Sequence, residues 1–146
     1  MPQHSETRVL PYAIEQMFDL VADVERYPEF LPWCKEVRII GRGKDGLVAD
    51  MVVGTKLFSD KFTSQVVLDR PTAITVNYRS GPLSHLSTKW AFKAIDPKTC
   101  EVFFDVDFDF RSPLLHAAMT VFFDKALKKM VEAFEGRAKE LYGDVG

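Results

Sequence analysis

The stretch from Glu101 to Phe110 constrains the fold more than any other part of the chain. Val102, Phe104, Val106, Phe108 and Phe110 are set against Glu101, Asp105, Asp107 and Asp109. A period of two puts the two sets on opposite faces of an extended strand. A strand that is apolar on one face and carboxylate-rich on the other belongs to an antiparallel sheet, dry on one side and wet on the other. The same period recurs upstream. Leu47, Ala49, Met51 and Val53 form one apolar set, and Phe62, Ser64, Val66 and Leu68 oppose Lys61, Thr63, Gln65 and Asp69. Ile74, Val76 and Tyr78 oppose Thr75, Asn77 and Arg79, and Leu86, Thr88, Trp90 and Phe92 oppose Ser87, Lys89 and Lys93. Lys44-Asp45-Gly46, Asp69-Arg70-Pro71, Gly81-Pro82 and Asp96-Pro97 supply turn chemistry at hairpin spacing between these runs.

Helical periodicity flanks the sheet. Residues 5–10 read as a short strand stopped by Pro11, and Ile14, Met17, Phe18, Val21 and Val24 then recur at helical spacing. The prolines of Tyr27-Pro28-Glu29-Phe30-Leu31-Pro32-Trp33-Cys34 allow a short helical turn and then extended chain. Ser112 as N-cap and Pro113 at the first helical position open a long helix, which runs to about Tyr142 and stops at Gly143. Its apolar stripe is Leu115, Met119, Phe122, Phe123, Ala126, Met130, Phe134, Ala138 and Leu141. The expected fold is therefore α+β: a curved antiparallel sheet of about six to seven strands wrapped around a long C-terminal helix, with two short helices after strand one.

The chain has 146 residues, which predicts a single domain over 1–146. Its 47% hydrophobic and 27% charged residues exclude disorder. A net charge of −2 offers no basic surplus for DNA. Cys34 and Cys100 are too few for a disulfide framework, which points to a reducing, cytoplasmic setting. The opening MPQHSETRVL lacks the apolar core of a secretory signal. The most apolar run, Leu114 to Phe123, falls well short of the roughly 20 residues that a membrane span needs.

Groups that could carry catalysis are sparse. His4, His85 and His116 are scattered, Cys34 has no neighbour that would activate a thiolate, and Asp105, Asp107 and Asp109 belong on the wet face of a strand. The spacing shows no inward-facing carboxylate or histidine pair, no phosphate loop and no nucleophile elbow. The expectation is a non-enzyme with no metal, nucleotide or catalytic cofactor. Lys125, Lys128, Lys129, Arg137 and Lys139 form a solvated helix face, or a local patch for anionic headgroups or RNA phosphates. The strongest composition signal is aromatic: twelve Phe, four Tyr and two Trp. Rings in this number either pack against one another or line a ligand tunnel, and spacing alone leaves both open.

Residues 11–34, PYAIEQMFDLVADVERYPEFLPWC, resemble the opening of the coenzyme Q-binding START-domain family. That family lies within the polyketide cyclase/dehydrase-like (Bet v 1-like, SRPBCC) superfamily and includes the RatA branch. The likeness continues through Phe62-Thr63-Ser64, Gly81-Pro82-Leu83, Trp90-Ala91-Phe92 and Met130-Val131-Glu132-Ala133-Phe134, with Leu83 in place of an expected Phe and Gly136 inside the last helix. The resemblance implies a helix-grip fold whose apolar tunnel binds ubiquinone or a related isoprenoid lipid. The implied role is that of a chaperone or delivery factor in respiration or quinone biosynthesis. Tyr27, Pro28, Phe30, Leu31, Pro32 and Trp33 would form the mouth. Phe62, Val76, Tyr78, Trp90, Phe104 and Phe108 from the sheet, with Leu115, Met119, Phe122, Phe123 and Met130 from the last helix, would line the body. Contact with the inner face of the membrane would follow from such a role. The RatA branch implies an alternative partner, the ribosome, and the superfamily name implies a third reading as a cyclase or dehydratase.

Overall fold

The computed structural model describes residues 3–54, 59–81, 83–114, 117, 121, 125–126 and 128–143. The elements in chain order are β1 (Gln3–Leu10), α1 (Ile14–Ala22), a 3-10 helix (Val24–Glu29), β2 (Cys34–Gly43), β3 (Gly46–Gly54), β4 (Ser59–Asp69), β5 (Ala73–Ser80), β6 (Leu83–Asp96), β7 (Thr99–Phe110) and α2 (Met130–Tyr142). The seven strands form one sheet in the order β1-β7-β6-β5-β4-β3-β2, and every neighbouring pair is antiparallel. The turns fall where the Gly, Pro and Asp clusters predict. Among the described residues, the one pairing between strands that are not consecutive in the chain joins β1 to β7, from Gln3↔Asp107 to Leu10↔Cys100.

The expected register holds. Phe104, Val106 and Phe108 are 1%, 1% and 4% exposed, while Asp105, Asp107 and Asp109 are half-buried on the outer face. There Asp105 accepts from Gln3 and Ser5, and Asp107 pairs with His85 at 3.1 Å. These acids are met by strand neighbours, as a wet face requires. The described part of the inner face packs on α2 through Phe134, whose ring stands edge-on to Trp90 with centroids 5.0 Å apart.

Two helix boundaries differ from expectation. Val24 continues the apolar spacing of α1, yet α1 ends at Ala22, because the chain leaves α geometry at Asp23 and continues as a 3-10 helix that contains Pro28. Proline lacks the N–H that an α-helix would need at that position. The last helix was expected from Ser112. Helical residues are present from 113 onward among those described, but Lys129 departs from helical geometry with φ −102° and ψ 6°, and α2 begins at Met130. Its end is as expected: Gly143 takes φ +84°, and its N–H donates to the Lys139 carbonyl at 2.9 Å. Tyr12 Oη donates to the Gly143 carbonyl and Tyr142 Oη to the Gln16 carbonyl, each at 3.2 Å, so α1 and the end of α2 clasp each other. Among the described residues no helix is long and apolar enough to cross a membrane.

Candidate functional site

A cavity of about 140 Å³ lies between the concave face of the sheet and α2. Ile74, Val76, Trp90, Phe104, Val106 and Phe108 line it from the sheet, and Met130 and Phe134 from α2. Val24 and Tyr27 contribute from the 3-10 helix. The cavity is open at one end and almost entirely apolar. It matches the ~150 Å³ holes that take up benzene, and is smaller than the roughly 300–1,000 Å³ of drug-sized sites. One ring fits. A long lipid needs further room.

The antiparallel order locates the mouth. The ends of β3, β5 and β7 and the starts of β2, β4 and β6 all lie at one end of the sheet. Trp33, Val53, Asp60, Leu83 and Phe110 line the cavity from that end. There the Gly54 N–H donates to the Trp33 carbonyl at 2.9 Å and ties the start of β2 to the end of β3. Outside it is a wider, open groove of about 600 Å³, lined by Leu31, Pro32, Trp33, Gly54, Ala126 and Ala133, with Lys125, Lys129 and Glu132. Trp33 lines both spaces and forms the partition between them.

Polar groups are few on the inner wall. Asp60 and Thr88 carry the only carboxylate and aliphatic hydroxyl among the described lining residues. Asp60 is half-buried and accepts the Lys61 backbone N–H through Oδ1 at 2.8 Å. The Tyr27 hydroxyl is already used, donating to the Val21 carbonyl, and burial raises its pKa so that it stays neutral. Cys34 and Cys100 are free and buried, and burial pushes their thiols up to about 12 and about 11, which suits inert core residues.

Of the residues the resemblance implies, Tyr27, Trp33, Phe62, Val76, Trp90, Phe104, Phe108 and Met130 line the cavity. Leu31 and Pro32 line the outer groove instead. Phe30 packs edge-on to Phe134 at 5.0 Å, and Pro28 sits inside the 3-10 helix. Tyr78 is not among the lining residues: its ring lies 6.4 Å from that of Phe62, and its hydroxyl accepts the Leu83 N–H at 3.0 Å. Leu115, Met119, Phe122 and Phe123 lie outside the described residues.

The expectation of no inward-facing carboxylate or histidine pair needs correction. Asp60 lines the cavity, on the parity that Phe62 and Ser64 already set for β4. On β1, His4 and Glu6 share the half-buried face with Arg8 and Leu10, and His4 Nε2 lies 3.3 Å from Glu6 Oε1. Glu6 in turn pairs with Arg8, which reaches Glu135 of α2 at 3.0 Å. Pairing with β7 decides that face, and no turn signal near β1 reveals it. This chain of charges joins β1 to α2; none of its members lines the cavity among the described residues.

Residues 10–135 match the family model described as polyketide cyclase/dehydrase and lipid transport. The chain belongs to this family. Among family relatives, a ribosome association toxin RatA of Pseudomonas aeruginosa is 40% identical, over 92% of this chain and 94% of its own. A mitochondrial coenzyme Q-binding protein COQ10 homolog B of Xenopus laevis is 37% identical, over 97% of this chain and 59% of its own. The solved structure of the ZhuI aromatase/cyclase from a Streptomyces superposes with a TM-score of 0.82 at 18% identity, covering 94% of this chain and 93% of that one. That likeness shows the family's fold: a curved sheet closed over by a C-terminal helix.

Proposed function

We propose that this protein binds ubiquinone or a related isoprenoid lipid without transforming it, and delivers it for respiration or quinone biosynthesis. The observation that carries this reading is the apolar cavity beside Trp90 and Phe104, with the outer groove beyond Trp33. A single ring fills the inner space, and a prenyl tail runs past Trp33 over Leu31, Pro32, Ala126 and Ala133. Each tail CH₂ taken from water contributes about 0.8 kcal/mol. Lys125 and Lys129 on the groove rim suit a brief encounter with anionic headgroups at the inner face of the membrane, the protein otherwise residing in the cytoplasm. A relative bearing a coenzyme Q-binding name supports the ligand class. The described wall presents one carboxylate and no histidine, so it lacks the acid–base pair that a cyclase or dehydratase would use. Solvent extraction of protein purified without detergent, followed by mass spectrometry, tests the reading. Co-purified quinone is the expected result; no lipid, together with no uptake of added ubiquinone, would overturn it.

A second reading, a ribosome-directed factor, is favoured by the 40% identity to a protein named for ribosome association. The exposed Lys125, Lys128 and Lys129 would be its phosphate contacts. Replacing all three with Ala should abolish co-sedimentation with ribosomes, and in the parent co-sedimentation should weaken as salt is raised. Undiminished co-sedimentation would remove this electrostatic reading.

A further inference from the structure

We infer that Asp60 makes the cavity selective for the oxidation state of its ligand, favouring a reduced head group whose hydroxyls donate hydrogen bonds over an oxidised one whose carbonyls only accept. The inference rests on the quinone-binding reading and adds to it a chemical preference. Asp60 lies at the mouth end of the sheet, where Val53 faces it across β3 and β4 and Cys34 faces Val53 across β2 and β3. A ligand whose tail leaves past Trp33 turns toward this end the ring oxygen that neighbours the tail, the one within reach of this carboxylate. A carboxylate accepts hydrogen bonds and donates none. One oxygen of Asp60 holds the Lys61 N–H at 2.8 Å, and the carboxylate retains acceptor capacity for a ligand. Facing a quinol hydroxyl at the cavity mouth, it gains a charge-assisted bond. Facing a quinone carbonyl, two acceptors meet and neither is satisfied. Thr88, deeper on β6 between Val76 and Val106, both donates and accepts, so it serves either state equally.

The test compares ubiquinone-1 with its quinol by isothermal titration under nitrogen, on the parent, Asp60→Asn and Thr88→Val. Asn keeps an acceptor for the Lys61 N–H and turns an amide donor toward the ligand. The parent should bind quinol about tenfold more tightly than quinone, the scale of one charge-assisted bond. Asp60→Asn should erase or invert that ratio with an unchanged melting temperature, and Thr88→Val should weaken both forms alike. A parent that binds both forms equally, or quinone better, overturns the selectivity and leaves the quinone-binding reading standing. So does an Asp60→Asn variant that folds and keeps the parent's ratio. A parent that binds neither form overturns both. Should Asp60→Asn melt early, Asp60→Ser, which removes the charge with a smaller side chain, replaces it and is read by the same ratio.

Discussion

The guanidinium carbon of Arg137 lies 5.3 Å from the centre of the Phe30 ring. The same side chain donates through Nη2 to Glu29 and is only 12% exposed. Phe30 stands edge-on to Tyr27 and Phe134, and Phe134 to Trp90, so rings run from the 3-10 helix through α2 to the floor of the cavity. Arg137 closes this stack from outside and fixes the segment that delivers Trp33 to the partition. Arg137→Ala should lower stability by about 1–2 kcal/mol, the scale of a partly desolvated cation–π contact. It should also raise the exchange rate of bound quinone. Arg137→Lys should recover only part of this, since an ammonium lacks the planar face that stacks. Urea unfolding and ligand off-rates measured on the same preparations check both.

A filled core and an open cavity answer added bulk in opposite ways. Val106 is 1% exposed and lines the cavity, so Val106→Phe places a ring in the empty space. The melting temperature should stay level or rise while co-purified quinone disappears. Overpacking of a full core would instead cost about 1–3 kcal/mol.

Burial raises the thiols of Cys34 and Cys100 above the ordinary value of 9.0. Both stay protonated in the folded protein at pH values where the unfolded chain releases those protons. Their contribution to stability is therefore complete below pH 9 and declines as pH rises toward 11 to 12. Denaturant midpoints measured between pH 8 and 10 should fall, and more shallowly in a Cys34→Ala, Cys100→Ala double variant. Alkylation of the native protein at pH 8 should be slow for both thiols.

Gly136 sits exposed inside α2, and a Cβ built there meets nothing within 4 Å. Gly136→Ala should stabilise the protein by about 0.5–1 kcal/mol, because alanine loses less backbone freedom on folding and no contact is strained. Thermal unfolding checks this, with a rise of a few degrees expected.

Parity was legible in the sequence. The alternation from Val102 to Phe110 determines that Phe104 and Phe108 face inward and Asp105 and Asp107 outward, since side-chain direction in a strand is a local property of the backbone. Asp60 obeys the same parity as Phe62 and could have been found by it. The turns and the glycine stop at Gly143 were legible for the same local reason. Partnership was not. That β1 lies beside β7, turning His4 and Glu6 toward the side of α2, depends on closing a loop of most of the chain. That Trp33 separates two spaces, and that Arg137 covers Phe30, depend on where α2 crosses the sheet. Twelve phenylalanines could have packed solid or left a hole. The curvature of the sheet against α2, a property of no single segment, left a space beside Trp90.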